Sequence, residues 1–360
     1  MKITIPISIT GLGCLSSLGN DVQAHLAGVA AAPTGFSTLA ELGETPRRFD
    51  DTLAAWIHPR SSLVHRMWAP ASCATLQVAK EAIAEAGWSA SDLRDTCVIF
   101  GTSRGSVAGW LSPWPTRRPF EVMAASNSLA AEPAAAVCRE LGVAGNWQVI
   151  SNGCCAGLDA LGTAALWLQA GLCQRILAIS CDLPLVEPIL EAYRASGILA
   201  TRQHPGLVPS EGAAAICMET QSEPKNLRLT YYASAAEPSA ILGASASLPA
   251  LEELLHDTKD HLGAPDLALL HSSGTPKNAK VEGRLLADIF SPKLPTVSLK
   301  RYTGHCIGAS GLLETAIGCA VLRQRRPIAS IPLNRHSSFL KIASAMGGKH
   351  TIARIDHPHD

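Results

Sequence analysis

The sequence predicts an α/β fold in which helices cover a mostly parallel or mixed β-sheet. Short β-like runs alternate with helix-like runs along the chain, and this alternation is typical of α/β proteins. Some β-like runs, such as residues 176–179, are continuously apolar, as expected for strands buried on both faces. The chain is 47% hydrophobic and only 17% charged, which indicates a large core and excludes a disordered protein.

The predicted elements begin with a strand at the N-terminus. Apolar Ile3, Ile5 and Ile7 alternate with other residues and lead into a glycine turn at 11–13, which favours a strand over a targeting segment. Residues 154–172 are mostly apolar but interrupted by polar side chains, so we expect a buried core helix and no membrane span. Further strands are predicted at 97–100, 147–151, 175–180, 214–218, 267–271, 296–299 and 351–355, and helices at 69–87, 129–141, 155–172, 279–290 and 312–322.

The length predicts two domains, since 360 residues correspond to about two units of roughly 150 residues each. The weakest pattern lies at 220–226, between two comparable halves. We therefore predict a first half at 1–222 and a second half at 223–360. A stretch rich in proline and tryptophan at 109–120 predicts a loop, as does the region 201–212.

Charge and cysteine content exclude several classes of protein. Thirty basic residues balance thirty acidic ones, which argues against a nucleic-acid-binding protein held by bulk positive charge. The eleven cysteines are scattered without any Cys-x-x-Cys pair, so we predict no metal site. Free thiols are typical of a reducing compartment, and we expect a cytoplasmic protein. The run 101–106 lacks the Gly-Lys-Ser/Thr ending of a phosphate-binding loop.

A cysteine pair lies where a predicted strand is followed by a long helix. Residues 152–157 read Asn-Gly-Cys-Cys-Ala-Gly. Unpaired backbone N–H groups and the helix dipole favour a thiolate at such a position, and a tight turn of this kind exposes the nucleophile in hydrolases. The local pattern fits a nucleophilic cysteine and two buried structural cysteines equally well.

Two histidines follow predicted strands in the second half of the chain. His271 ends an apolar run, and Lys300 ends the next one, with His305 five residues further on. The carboxyl ends of strands are where α/β sheets bind ligands. Each signal is weak alone, and His271 by itself fits a structural histidine better. Together the segments predict one cysteine and two histidines at strand ends.

These segments resemble, in the same order, the motifs of the β-ketoacyl-acyl-carrier-protein synthases, which belong to the thiolase superfamily. The resemblance extends from residue 9 almost to the C-terminus. It is carried by the strand and turn at 9–13, the nucleophile stretch at 154–160, the glycine-rich run at 210–214, the His-Ser-Ser-Gly-Thr-Pro run at 271–276, and a last block containing Lys300, His305, the glycines at 308 and 311, and Glu314.

The resemblance implies a thiolase-like fold, with two similar α/β halves in a five-layered αβαβα arrangement. It also implies a condensing enzyme that accepts an acyl chain on a cysteine and extends it by decarboxylative Claisen condensation with a malonyl thioester, in fatty-acid or polyketide (including aryl-polyene) biosynthesis. The implied residues are Cys154 as nucleophile, His271 and His305 as donors to the enolate, Lys300 with Glu314 in support, Met346 and Gly347 in the oxyanion loop, and Ser273 and Thr275 on the pantetheine arm.

The sequence departs from the family pattern in two places. The Gly and Thr of the family's His-Gly-Thr motif are replaced by Ser272 and Ser273. The C-terminal Gly-Phe-Gly-Gly loop, whose aromatic residue gates the acyl pocket in the family, is replaced by Ala-Met-Gly-Gly at 345–348. The chain is also shorter than typical members. Met346 in place of the aromatic gate predicts looser control of acyl-chain length.

The resemblance further implies an acyl carrier protein as partner and a homodimer or a heterodimer with another ketosynthase. Phosphopantetheine arrives on the carrier, so no cofactor of the chain's own is expected. Carrier proteins are acidic, and a local basic patch would attract them; the candidates are Arg60, Arg66, Arg323, Arg325 and Arg326.

Two alternatives to a condensing enzyme stay open, namely a non-elongating subunit resembling a chain-length factor and an acyltransferase of the same superfamily.

Overall fold

The computed structural model describes residues 3, 5–33, 35–107, 129–220, 223, 226–238, 248–274, 276–332 and 337–358. The strands in this part of the chain are β1 (Ile7–Ser16), β2 (Ser37–Thr38), β3 (Leu53–Ala54), β4 (Thr96–Gly101), β5 (Trp147–Ile150), β6 (Arg175–Asp182), β7 (Gly212–Glu219), β8 (Leu227–Ala236), β9 (Leu267–Leu269), β10 (Thr296–Val297), β11 (Ser338–Ala345) and β12 (Lys349–Asp356). The α-helices are α1 (Val22–Ala30), α2 (Leu39–Leu42), α3 (Pro70–Ala86), α4 (Ala90–Arg94), α5 (Glu132–Leu141), α6 (Ala156–Gln169), α7 (Glu187–Ala195), α8 (Pro249–Leu262), α9 (Pro276–Ile289), α10 (Lys300–Thr303) and α11 (Ser310–Arg323).

The main sheet is built from two halves with the same topology. Its strand order is β10-β9-β11-β12-β8-β1-β7-β6-β4-β5. In the first half β4 pairs in parallel with β5 and β6, and β7 pairs antiparallel with β6 and β1. In the second half β9 pairs in parallel with β10 and β11, and β12 pairs antiparallel with β11 and β8. A short antiparallel pairing between β1 and β8 joins the halves.

Helices and sheet halves alternate in five layers. Helices α6 and α11 pack against each other and against strands of both halves, so they form the central layer. Helices α3 and α5 cover the outer face of the first half, and α8 and α9 cover that of the second half. This arrangement confirms the predicted α/β class and the αβαβα layering.

Strand β6 shows why its sequence is continuously apolar. Ile176 and Ala178 lie in the central core, whereas Leu177 and Ile179 lie in the outer core beneath α3. Because successive side chains of a strand point to opposite faces, burial on both sides requires apolar residues throughout. The prediction of a doubly buried strand is confirmed.

Several elements were missed by the sequence analysis. The chain forms α1, α7, α8, β8 and β11, none of which was predicted. In β8 the buried residues alternate with half-buried polar ones, and β11 contains a lysine in its middle, so neither has the continuous apolar run of β6. The predicted boundary at 222/223 and the predicted loop at 109–120 lie outside the described residues, apart from residue 223. The region 201–212 has no regular strand or helix before β7, as predicted.

The central helices approach each other closely because small residues line their contact. A Cβ added at Gly157 in α6 would lie 2.7 Å from the carbonyl oxygen of Gly308 and 3.1 Å from the backbone nitrogen of Leu312. Neither backbone atom can move away as a flexible side chain would. Gly157 therefore sets the distance between the two halves.

We predict that Gly157→Ala lowers the free energy of unfolding by about 1–3 kcal/mol, the usual cost of overpacking a core. The matched control is Gly283→Ala in α9, where an added Cβ would meet nothing within 4 Å. Removing this helical glycine should leave stability unchanged or raise it by up to about 1 kcal/mol. Urea unfolding measures both effects, and equal stability of the two variants would contradict the packing account.

Candidate active site

The predicted chemical residues converge where parallel strands of both halves end. Strand β5 is followed by a short 3-10 turn, Gly153–Cys155, which carries Cys154 to the start of α6. Strand β9 is followed by His271, and β10 is followed by α10 and His305. The backbone φ of Gly153 is +57°, a left-handed conformation that glycine adopts without a Cβ clash. Cys154, His271 and His305 thus follow strand ends, as the sequence indicated.

Cys154 lies partly buried against an apolar cluster. Burial raises the pKa of its thiol to about 11, while the charges of Lys300 and Arg104 act in the opposite direction. From the sequence we expected the helix start to favour a thiolate, but in the structure burial has the larger effect on the pKa of Cys154. The cluster that packs against Cys154 contains Val107, Val186, Ile189, Tyr193, Leu207 and Ile307.

His271 and His305 face each other edge to face. Their ring centroids are 5.5 Å apart with the planes at 82°. Both rings are buried, and burial together with the nearby charge of Lys300 holds the pKa of each imidazole well below its usual range. Nδ1 of His305 lies 3.0 Å from the hydroxyl oxygen of Ser310. When that nitrogen accepts the hydroxyl proton, the ring proton is on Nε2, which is then a hydrogen-bond donor.

The glycine-rich run at 210–214 holds His305 through its backbone. The N–H of His305 donates to the carbonyl of Val208 at 2.8 Å, and the N–H of Ser210 donates to the carbonyl of His305 at 3.1 Å. Glu211, which is buried, accepts hydrogen bonds from the backbone N–H of Ile57 and from Arg60. Val208 and the start of this run therefore hold the backbone of His305.

Lys300, which the resemblance expects to act through Glu314 or the histidines, forms an ion pair with Glu314. The Lys300 ammonium donates to Oε1 of Glu314 at 2.6 Å, and both side chains are buried. A second lysine, Lys341 of β11, donates to Oε2 of the same carboxylate at 2.5 Å. Lys341 was not identified from the sequence, because Glu314 is 27 residues away along the chain and no local motif marks the lysine.

Asp182 is a second residue that the sequence analysis missed. Its carboxylate accepts hydrogen bonds from the Thr102 hydroxyl and from the backbone N–H groups of Ser103 and Gly308, each at 2.8 Å. Burial raises its pKa to about 6. Asp182 thus ties the end of β4 to the turn that follows His305. Its position at the carboxyl end of a buried strand was the signal that could have revealed it.

The turn between β11 and β12 lies beside the nucleophile turn. A Cβ added at Gly153 would lie 3.6 Å from the Cβ of Ala345. The side chain of Met346 is 61% exposed, and Gly347 has a φ of +86°. The hairpin therefore lies beside the turn that carries Cys154, with the Met346 side chain largely exposed.

The residues expected to hold pantetheine are only partly described. Ser273 follows His271 directly after β9 and is partly buried, whereas Thr275 lies outside the described residues. Within the described ranges, no group of three or more His, Cys, Asp or Glu side chains is arranged to hold a metal ion. None of the helices in that part of the chain is long and apolar enough to cross a bilayer.

Cys154 packs in one cluster with Ile307, two residues beyond His305, so the thiol lies near the two buried imidazoles and the site suits acyl transfer through a cysteine. Two sequence models of one family match the chain, the β-ketoacyl synthase N-terminal domain over residues 4–224 and the β-ketoacyl synthase C-terminal domain over residues 243–333. The chain therefore belongs to the β-ketoacyl synthase family, whose members are condensing enzymes of the acyltransferase class. This confirms the resemblance drawn from the motifs.

Curated relatives agree with the family. Nodulation protein E of Rhizobium meliloti is 24% identical over 282 residues, which cover 68% of this chain and 67% of the relative. The 3-oxoacyl-[acyl-carrier-protein] synthase 1 of Haemophilus influenzae is 23% identical over 337 residues, covering 85% and 83% of the two chains.

Solved structures share the whole fold. A β-ketoacyl synthase from Burkholderia phymatum matches with a TM-score of 0.83 at 18% identity, covering 99% of this chain and 100% of that one. A ketosynthase solved in complex with its type II polyketide acyl-carrier protein matches at 0.81 and 20% identity, with the same coverage. The ishigamide ketosynthase/chain length factor also matches at 0.81, with 17% identity and the same coverage. These likenesses establish the thiolase-like fold.

The raised pKa of Cys154 predicts how its alkylation depends on pH. Because only the thiolate reacts, the rate of iodoacetamide labelling at Cys154 should rise about tenfold per pH unit between pH 7 and 9. Peptide mass spectrometry follows the label at this position, and Cys154→Ala gives the background from the other cysteines. A labelling rate that is already level at pH 7 would show that the pKa is lowered and would contradict the account.

Proposed function

We propose that the chain carries an acyl group on Cys154 and condenses it with a malonyl thioester. The observation behind this proposal is that a thiol of the first half and two buried imidazoles of the second half follow strand ends on neighbouring turns. A cysteine provides covalent catalysis of acyl transfer. Paired neutral imidazoles provide donors for an enolate oxygen without adding a full charge. Neither the cysteine nor the pair of imidazoles alone would provide both acyl transfer and donors for the enolate.

In the first stage the sulfur of Cys154 attacks the carbonyl carbon of an acyl thioester. The thiol proton is lost as the carbon–sulfur bond forms, and the departing carrier thiol gains a proton as its own bond to carbon breaks. The oxyanion that forms between these events needs fixed donors, each worth about 3 kcal/mol when well placed. The backbone N–H groups of Cys154 and Met346 supply them in this proposal, supported by the position of the β11–β12 turn beside Gly153.

In the second stage the malonyl thioester loses carbon dioxide, and its electron pair becomes an enolate. The Nε2–H groups of His271 and His305 donate to the enolate oxygen. The carbanion carbon then attacks the acyl carbonyl on Cys154, and the sulfur leaves as a thiolate. The product is a β-ketoacyl thioester two carbons longer than the acyl group supplied.

The apolar cluster against Cys154 supports an acyl substrate. Its aliphatic and aromatic side chains pack against the Cys154 side chain. A hydrocarbon chain bound there stays out of water, which favours binding in proportion to the apolar area buried. Ser273 and Thr275 remain the proposed contacts of the pantetheine arm, since they directly follow the His271 strand end.

The proposed partner is an acyl carrier protein, as in the solved ketosynthase complex of the same fold. Of the arginines proposed for docking, Arg60 is paired with Glu44 and Glu211, and Arg323 is paired with Glu85. Arg66 and Arg326 are exposed and are the better candidates. The free cysteines agree with the proposed cytoplasmic location.

A dimer through β5 is proposed as well. This strand lies at one edge of the sheet, and its Trp147 is 40% exposed. A similar fold occurs as a ketosynthase/chain length factor pair, so the second subunit is either a copy of this chain or another ketosynthase.

We predict that a panel of acyl-carrier-protein thioesters leaves an acyl adduct on the intact protein, detected by mass, and that Cys154→Ala abolishes it. His271→Ala and His305→Ala should still become acylated. Each should slow decarboxylation of the malonyl thioester by about 100–1,000-fold, because each removes one donor to the enolate oxygen.

The same experiment separates the alternatives. An adduct with no malonyl-dependent product would indicate an acyltransferase. A folded protein that forms no adduct with any chain length would contradict the proposal and favour a non-elongating partner subunit.

A further inference from the structure

Lys341 is a buried charge that the proposed reaction does not use. It lies in the middle of β11, where Phe339 and Ala343 on the same face belong to the central core. Leu340 and Ile342 face the outer core instead, so the Lys341 side chain points into the central layer towards α11. Burying an ammonium group is costly unless it is paired and hydrogen-bonded. A lysine at this position therefore calls for a specific set of partners.

The Lys341 ammonium has two kinds of partner. It donates to Oε2 of Glu314 at 2.5 Å and to the backbone carbonyl of Leu270 at 3.0 Å. Lys300 occupies the other oxygen of Glu314 at 2.6 Å. Each of these side chains is at most 5% exposed, so water does not compete for the bonds.

The Leu270 carbonyl belongs to the peptide group that joins Leu270 to His271, so a hydrogen bond to it constrains the backbone of the histidine. On the far side of the histidine, the N–H of Ser272 donates to Oε2 of Glu282 at 3.0 Å. Ser272 has a φ of +31°, an unusual backbone conformation for a residue with a Cβ, which needs surrounding contacts to hold it. The peptide units on both sides of His271 are thus held by buried ionisable side chains, Lys341 and Glu282.

We propose that Lys341 is a positioning residue for the condensing step, which holds the His271 imidazole in place by binding the Leu270 carbonyl while Glu314 anchors its charge. The inference rests on the proposed function, since the position of His271 matters only if that ring donates to the substrate. Lys300 does not replace Lys341 in this role, because within the described residues its ammonium bonds Glu314 and no backbone carbonyl beside His271.

The charges around Lys341 indicate a pH dependence of this role. The group is faced by Glu314 of α11, Lys300 of α10, Glu282 of α9, and the His271 and His305 rings. Burial lowers the pKa of the Lys341 ammonium, and the Glu314 carboxylate only partly offsets that effect. The ammonium therefore loses its proton as the pH rises, before an ordinary lysine with a pKa of about 10.4 would. Decarboxylation should decline over that range.

The test compares Lys341→Met with wild type in two separate assays. Acylation of Cys154 by a carrier thioester should stay within about threefold, because the nucleophile turn is not held by Lys341. Carbon dioxide release from malonyl thioester on the pre-acylated protein should fall about 10–100-fold, the range expected for a small misplacement of a reacting group. The loss should appear in kcat and not in KM. Lys259→Met is the matched control, since Lys259 also donates to a backbone carbonyl, that of Ile289, away from the site.

The outcomes distinguish this inference from the proposed function. If wild type condenses and Lys341→Met decarboxylates at the wild-type rate, the role of Lys341 is overturned and the proposed function stands. If wild type forms no acyl adduct, the proposed function fails first and the inference falls with it.

The dependence of the decarboxylation rate on alkaline pH tests whether Lys341 has only a structural role. In the pre-acylated wild type the rate should begin to decline at a pH below the usual lysine pKa of about 10.4. In Lys341→Gln that decline should be absent. If the variants do not fold, the wild-type profile decides, and a rate that stays level to about pH 10.4 overturns the inference.

Discussion

The Glu314 carboxylate, bound between two buried ammonium groups, is the interaction on which the site depends. It joins the α10 turn that precedes His305 to helix α11 and strand β11. Removing one member of such a cluster leaves an uncompensated charge in the core, which is far more costly than losing a surface ion pair. Through Lys341 the same cluster reaches the backbone beside His271. One buried carboxylate therefore connects the segments that carry both histidines.

The repeated topology of the two halves explains why the site forms between them. In each half the parallel strands end at the same edge of the sheet. The turn carrying Cys154 and the segments carrying the histidines therefore lie beside each other, near the starts of α6 and α11. Asp182 of the first half bonds the N–H of Gly308 in the second, which locks the two sets of turns together. Burial acts on both sets at once, since it keeps the imidazoles neutral and raises the pKa of the thiol.

Much of this site was predictable from the sequence, because its main residues follow apolar strands in short motifs. Cys154, His271 and His305 stand at strand ends, and the family motif implied Glu314 as one of the alternative partners of Lys300. Lys341 was not predictable in the same way, since a lysine inside a strand interrupts the hydrophobic pattern and its partners come from distant segments. For the same reason β11 was missed, while the continuously apolar β6 was found. The balance between burial and charge at Cys154 likewise depends on packing that local pattern does not show.

The most direct test of the account is a crystal structure of the protein acylated with a fatty acyl thioester. The account predicts a thioester on Cys154, with the acyl chain among Val107, Ile189 and their neighbours in the apolar cluster. The thioester oxygen should accept hydrogen bonds from the backbone N–H groups of Cys154 and Met346, and both imidazoles should face the acyl carbon. An acyl chain that extends into solvent, or an acyl group attached elsewhere, would contradict the claim that these strand ends form one condensing site.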